Sequence, residues 1–502
     1  MIRQSLRLSA AALLGWTLLA GVAAAQPAST PSLLILSQAV NPTGPLRTDL
    51  LAALRQLRDP ALQPLMAALA SGDSPGLRAQ GVLGLAELAD PPRLNPLMVS
   101  GITDPIELAS ILGQALGLDL LPPESIRDVL KREKLDPYVE AVLRGRLARS
   151  GDKPDVEALT KLLAADHRAA PLIAAFELAE AGVPKPLEEQ SEKLLQMNDP
   201  ARGVFVGELL EHVRTEQTTS AGPLLGRLAS LYRDQPALHA DILRTWLRVA
   251  PEAAAPIWAR AFAEATQQSD QLRLALAALD AAEGLAPESF DTVIKAGGSA
   301  DPILAALGSL GKALAAKEGQ ADAVRHMLSQ RYQQAELWIG DRARSWPPER
   351  AKDAWLALIQ TAATRPDSTS RVSEAVPAAA EGLARVSPDL LREPIASAAA
   401  RSDARLTEAL IVGLMRAGAA CAWDAAKPPQ WPHPNSAALA LVCEARSDPA
   451  FGKDKDRLSR LTAVADGLTG RLPAAVRVQA AWLALKHAGE ADATLARLLA
   501  RQ

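Results

Sequence analysis

Residues 59–88 read DPALQPLMAALASGDSPGLRAQGVLGLAEL, and this stretch decides the fold. Asp59-Pro60 opens it with a side-chain acceptor for the unpaired N–H groups of a first helical turn, followed by a residue that lacks such an N–H. Apolar residues then recur at helical spacing through Leu65, Met66 and Leu69. Ser-Gly-Asp-Ser-Pro at 71–75 is turn chemistry, and Arg78 to Leu88 resumes the helical pattern. Helix, turn and helix fit within 30 residues.

Working outward, the same punctuation returns. Asp-Pro pairs stand at 59, 90, 104, 136, 199, 301 and 448, with spacings such as 59 to 90 and 104 to 136. Pro64-Leu65-Met66 recurs 32 residues on as Pro96-Leu97-Met98. A period in this range is the mark of a helical array. Composition agrees: 48% of residues are hydrophobic and only 3% aromatic, so the apolar mass is mostly Ala and Leu, which favour helix. No convincing period-2 stretch appears, so the expected class is all-α, an α-solenoid of stacked antiparallel hairpins.

Residues 59–88 resemble a HEAT repeat of the short, about 30-residue kind. The resemblance rests on Asp59-Pro60, Pro64-Leu65, Leu69, Asp73 and Arg78-Ala79 and is clear over about residues 59–120. It implies an α-α superhelix, and for Asp73 and Arg78 a role in a polar ladder between neighbouring repeats. In the next unit Asp104 matches Asp73 at an offset of 31, but Ala109 replaces Arg78.

The N-terminus carries a separate message. Arg3 and Arg7, the apolar run Leu8–Val22 and the small residues Ala23-Ala24-Ala25 have the make-up of a signal peptide cleaved after Ala25. Export to the periplasm or beyond is therefore expected, with no stable membrane span after cleavage. Losing the two arginines takes the formal charge from −3 to about −5, which offers no reason to bind nucleic acid.

Beyond the signal, the chain divides into a flexible Pro-rich lead-in (26–45), HEAT-like repeats (46–182), a helical hairpin array (183–366) and C-terminal repeats (367–502). The last segment holds both cysteines. In an oxidising compartment Cys421 and Cys443 are expected to form a disulfide, a local staple of roughly 3 kcal/mol.

Several stretches are candidates for chemistry. Residues 427–435, KPPQWPHPN, present Trp431 and His433 in a stiff Pro-rich loop that could contact a partner; the plainer reading is a helix connector. Gly81, Gly84, Gly113 and Gly117 read as points of close helix packing. Trp246, Trp258, Trp338, Trp346 and Trp355 could line a groove, but at helical spacing the plainer reading is core filler. Glu208 and His212 share a helix face without the rest of a metal site. Pro287-Glu288-Ser289-Phe290, followed by Gly297-Gly298-Ser299, is similar to the Glu-Ser motif of soluble lytic transglycosylases, where the Glu acts as a general acid. The family's following Leu-Met-Gln stretch is missing. No catalytic residue, metal ligand or cofactor site is assigned. The expected function is non-catalytic binding of a protein, peptide or envelope polymer on a concave face. The alternatives are a glycan-processing envelope enzyme using Glu288 and a structural subunit of an envelope assembly.

Overall fold

Four of the Asp-Pro pairs cap their helices as elementary chemistry requires. Asp59 accepts from the Ala61 N–H, Asp104 from Ile106, Asp136 from Tyr138 and Val139, and Asp301 from Leu304. Asp90-Pro91 is an exception, because no helix begins there.

The computed structural model describes residues 31–41, 47–131, 135–149, 153–298, 300–342, 348–364, 372–424, 428–431 and 433–500. Among them the chain forms 27 α-helices joined by turns and short 3-10 segments, with no strand. The all-α class is as expected. The signal segment lies outside the described residues.

Within the first hairpin, Gln63–Ser71 lies along Pro75–Leu88. Leu65, Met66 and Leu69 are buried in one apolar cluster with Leu77, whereas the buried Val82 and Leu83 face a second cluster. Contact is closest at Gly81, where a Cβ would stand 2.3 Å from the Ala70 nitrogen. Gly84 faces the Met66 side chain in the same way. Gly113 and Gly117 differ from expectation: nothing lies within 4 Å of a Cβ at either, so neither is a packing point.

From this hairpin onward, helices pack mainly on their neighbours in the chain. Paired polar side chains tie successive units together. Arg55–Glu87, Arg78–Glu107, Arg149–Glu177 and Arg233–Glu264 are spaced 28 to 32 residues apart. The first three carboxylates are largely buried, and each is met by two guanidinium nitrogens.

The two ends of this succession meet. Pro31–Ala39, placed in the flexible lead-in by sequence, is a helix whose Leu33, Ile35 and Leu36 are buried. It and Thr48–Gln56 pack on Ala474–His487, near the C-terminus. Polar bonds close the seam: Ser32 Oγ to Asp466 (2.6 Å), Gln479 Nε2 to the Ala53 carbonyl (2.7 Å), and Arg446 Nη2 to the Gln56 carbonyl (3.1 Å). Asp59 sits at the centre of the seam. Besides capping its own helix it accepts from Trp482 Nε1 and Lys486 Nζ, both at 2.8 Å. Burial alone would raise the Asp59 carboxyl, but the bonds from Lys486 and Trp482 outweigh it and hold the group below its ordinary value.

The apolar core follows the same closure. One cluster runs from Ala141 to Leu498 and continues across the seam into Leu33–Leu77. A second, smaller cluster occupies Ala79 to Leu147. The core therefore divides inside the 46–182 segment.

Candidate functional site

Helix C-termini leave carbonyl groups unpaired and carry partial negative charge, so cations gather there. Arg55, Arg385, Arg416 and Arg446 each occupy the last turn of a helix: Thr48–Gln56, Val372–Val386, Ala404–Ala417 and Pro434–Ser447. Closure of the chain brings these ends together. With Arg58 they line a cavity of about 840 Å³, whose wall also includes Glu87, Glu381 and Leu118.

The five arginines are not equivalent. Arg55 is nearly buried and held by Glu87 and Gln80. Arg385 pairs with Glu381 one turn earlier. Arg446 donates to the carbonyls of Met415 and Gln56, which satisfies its hydrogen bonds without cancelling its charge. Burial, and the nearby charge of Arg58, hold the Arg446 guanidinium below its usual value. Arg58 and Arg416 are exposed, and among the described residues neither forms an ion pair or a side-chain hydrogen bond. Arg58 also adopts a left-handed backbone, with φ 48°. In a non-glycine residue that conformation costs about 1–2 kcal/mol.

The residues singled out by sequence lie elsewhere. Arg78 bonds to Glu107 and to the Gly72 carbonyl. Asp73 and Asp104 add only the pull of their charge on it, after the Glu107 bond. The expected Cys421–Cys443 disulfide is absent. Both thiols are free, with Sγ atoms 3.0 Å apart in a thiol hydrogen bond. That bond lowers Cys421 and raises the fully buried Cys443. Trp431 is half-buried and stands edge-on to Trp423, ring centres 5.0 Å apart. His433 caps Pro434–Ser447 by accepting from the Asn435 N–H, and lies 3.5 Å from Glu408. The connector is thus built into the packing on its Trp431 side. Lys427 and Pro432 lie outside the described residues.

Trp246, Trp258, Trp338 and Trp355 are core residues, and the Trp258 indole donates to the Leu274 carbonyl. Trp346 lies outside the described residues. His212 is buried 3.3 Å from Glu177, whereas Glu208 is exposed near Arg168, so the two do not converge. Glu288 is exposed on the 3-10 turn Pro287–Phe290 and takes no part in the arginine cavity.

A signal for the cavity was present in the sequence: Arg recurs near helix ends in LRQLRDP (54–60), GLARVSP, GLMRAGA and CEARSDP. Each instance is an ordinary C-terminal cation. Only the tertiary arrangement gathers them.

Compared with known proteins, the chain matches no family model, no curated protein and no solved structure.

Proposed function

We propose that the chain is an exported, non-catalytic binding scaffold, a HEAT-like α-solenoid whose ends close on each other, and that it holds its partner at the arginine-lined cavity. The cavity carries this reading. It is large for a gap between packed helices, falls in the range of ligand sites, and is walled by charged groups from several helices. Two of its cations, Arg58 and Arg416, form no ion pair or side-chain hydrogen bond among the described residues. A succession of hairpins that bury their apolar faces on one another supports the solenoid reading, because it leaves inner surfaces free for contacts. The make-up of residues 1–25 supports export to the periplasm or beyond. The partner class is a protein, peptide or envelope polymer.

The test is affinity capture of envelope material on the immobilised mature chain, with mass spectrometry of what is retained. Specific enrichment of a protein, peptide or polymer is expected. Recovery of nothing beyond the level of a blank resin sinks the scaffold reading.

A further inference from the structure

Charges at a helix end have a plain structural use, and three of the five cavity arginines serve it: Arg55 and Arg385 neutralise carboxylates, and Arg446 bonds to terminal carbonyls. Arg58 and Arg416 do not. Neither reaches a carboxylate or a carbonyl with its side chain among the described residues. After the two carboxylate pairs, the cavity wall therefore keeps three uncancelled positive charges, on Arg58, Arg416 and Arg446. Like charges held together at a wall of protein repel, and they repel more strongly than in bulk water. The left-handed conformation of Arg58 has its own structural use, since it ends the helix Thr48–Gln56 with the Arg58 N–H bonded to the Arg55 carbonyl. The helix termini favour one cation each, but no carboxylate in the wall offsets the three together. Binding of a complementary charge does.

We propose that the cavity is a binding site for a multivalent anion, a molecule bearing several phosphate or carboxylate groups, with Arg58 and Arg416 as its principal contacts and Arg446 as a fixed charge behind them. Guanidinium groups suit both chemistries, since each can offer two parallel N–H donors to one anionic group. The volume of about 840 Å³ admits a ligand much larger than a single phosphate. Leu118, exposed on the wall, offers an apolar contact beside the charges. This inference rests on the cavity being the binding site of the scaffold, and it assigns the chemistry of what is bound.

Isothermal titration of the full chain with tripolyphosphate, and separately with benzenehexacarboxylate, tests it. Saturable binding of at least one probe is expected, weakening as salt rises from about 50 to about 200 mM. Arg58→Ala/Arg416→Ala should lose about tenfold or more in affinity. Both side chains are exposed and removing them relieves repulsion, so the double variant should melt no lower than the parent. Arg58→Lys/Arg416→Lys should recover part of the loss. Arg325→Ala, which removes an exposed arginine paired only with Asp322 outside the cavity wall, should bind as the parent does. Binding of one probe and not the other assigns the anion as phosphate or carboxylate. No saturable binding by the parent, or undiminished binding by the double alanine variant, overturns the proposal. Capture of an envelope partner equally by parent and double variant would leave the scaffold reading standing and remove the anion site. Anion binding with no captured partner would do the reverse.

Discussion

The unit at 59–88 and its echo at 90–117 begin with the same dipeptide and share Pro-Leu-Met, yet they fold differently. Leu65 is fully buried inside a hairpin, whereas Leu97, its counterpart 32 residues on, is 77% exposed on the 3-10 turn Pro96–Val99. Gly81 lets two helices touch; Gly113, also 32 residues on, touches nothing. Asp59 caps a helix and holds the seam, while Asp90 is exposed and starts no helix. A repeated motif therefore does not carry a repeated role. What differs is the neighbour: the first unit is pressed between its own second helix and the C-terminal helices, and the echo is not.

The largest test of this contrast is Leu65→Ala against Leu97→Ala. Emptying the Leu65 site should cost about 2–5 kcal/mol in denaturant unfolding. The Leu97 change should stay within about 0.5 kcal/mol. Equal losses at the two positions would contradict the difference in packing.

Next in size is the dipeptide itself. Asp59→Ala removes a cap and strands the buried Trp482 N–H, for about 2–4 kcal/mol. Asp90→Ala should change stability by no more than about 0.5 kcal/mol. Hydrogen exchange should show Pro31–Ala39 and Ala474–His487 opening together in the first variant; exchange confined to residues around 59 would argue against a seam.

The Asp59 contribution also has a pH signature. Its folded value lies below the unfolded one, so the stabilisation is fully present above the unfolded carboxyl value, about 3.9. It drains away as the pH falls through the lower folded value. Thermal melts of the parent and Asp59→Asn should accordingly keep their full difference from neutrality down to about pH 4 and converge only as the pH falls further, through the folded value. A gap that persists undiminished in acid would exclude Asp59 as its source.

The smallest expected effect has opposite signs in the two units. Gly81→Ala drives a methyl into the Ala70 backbone and should cost about 1–3 kcal/mol. Gly113→Ala has open space and should stabilise its helix by about 0.5–1 kcal/mol. Melting temperatures that move in the same direction would show that the helices around Gly81 are free to separate.

Much of the architecture is legible along the chain because its causes are local. The reach from Asp59 to the Ala61 N–H spans two residues, and the apolar stripe Leu65–Leu69 spans one turn. The site was not legible, because Arg416 looks like any cation at a helix end until its neighbours in space are known. The thiols illustrate the same limit. A lone pair of cysteines and the expected export suggested a bond, whereas the structure places Cys443 inside its helix packing and Cys421 beside it as free thiols in contact.

By itself the sequence determined the helical class and several of the caps, since these depend on contacts a few residues apart. The tertiary structure alone decided that the ends meet, that Asp59 serves Trp482 across 423 positions, and that arginines from distant helices share one cavity. The physical reason is that closure depends on many weak contacts between surfaces far apart in the chain. No single short motif encodes their sum.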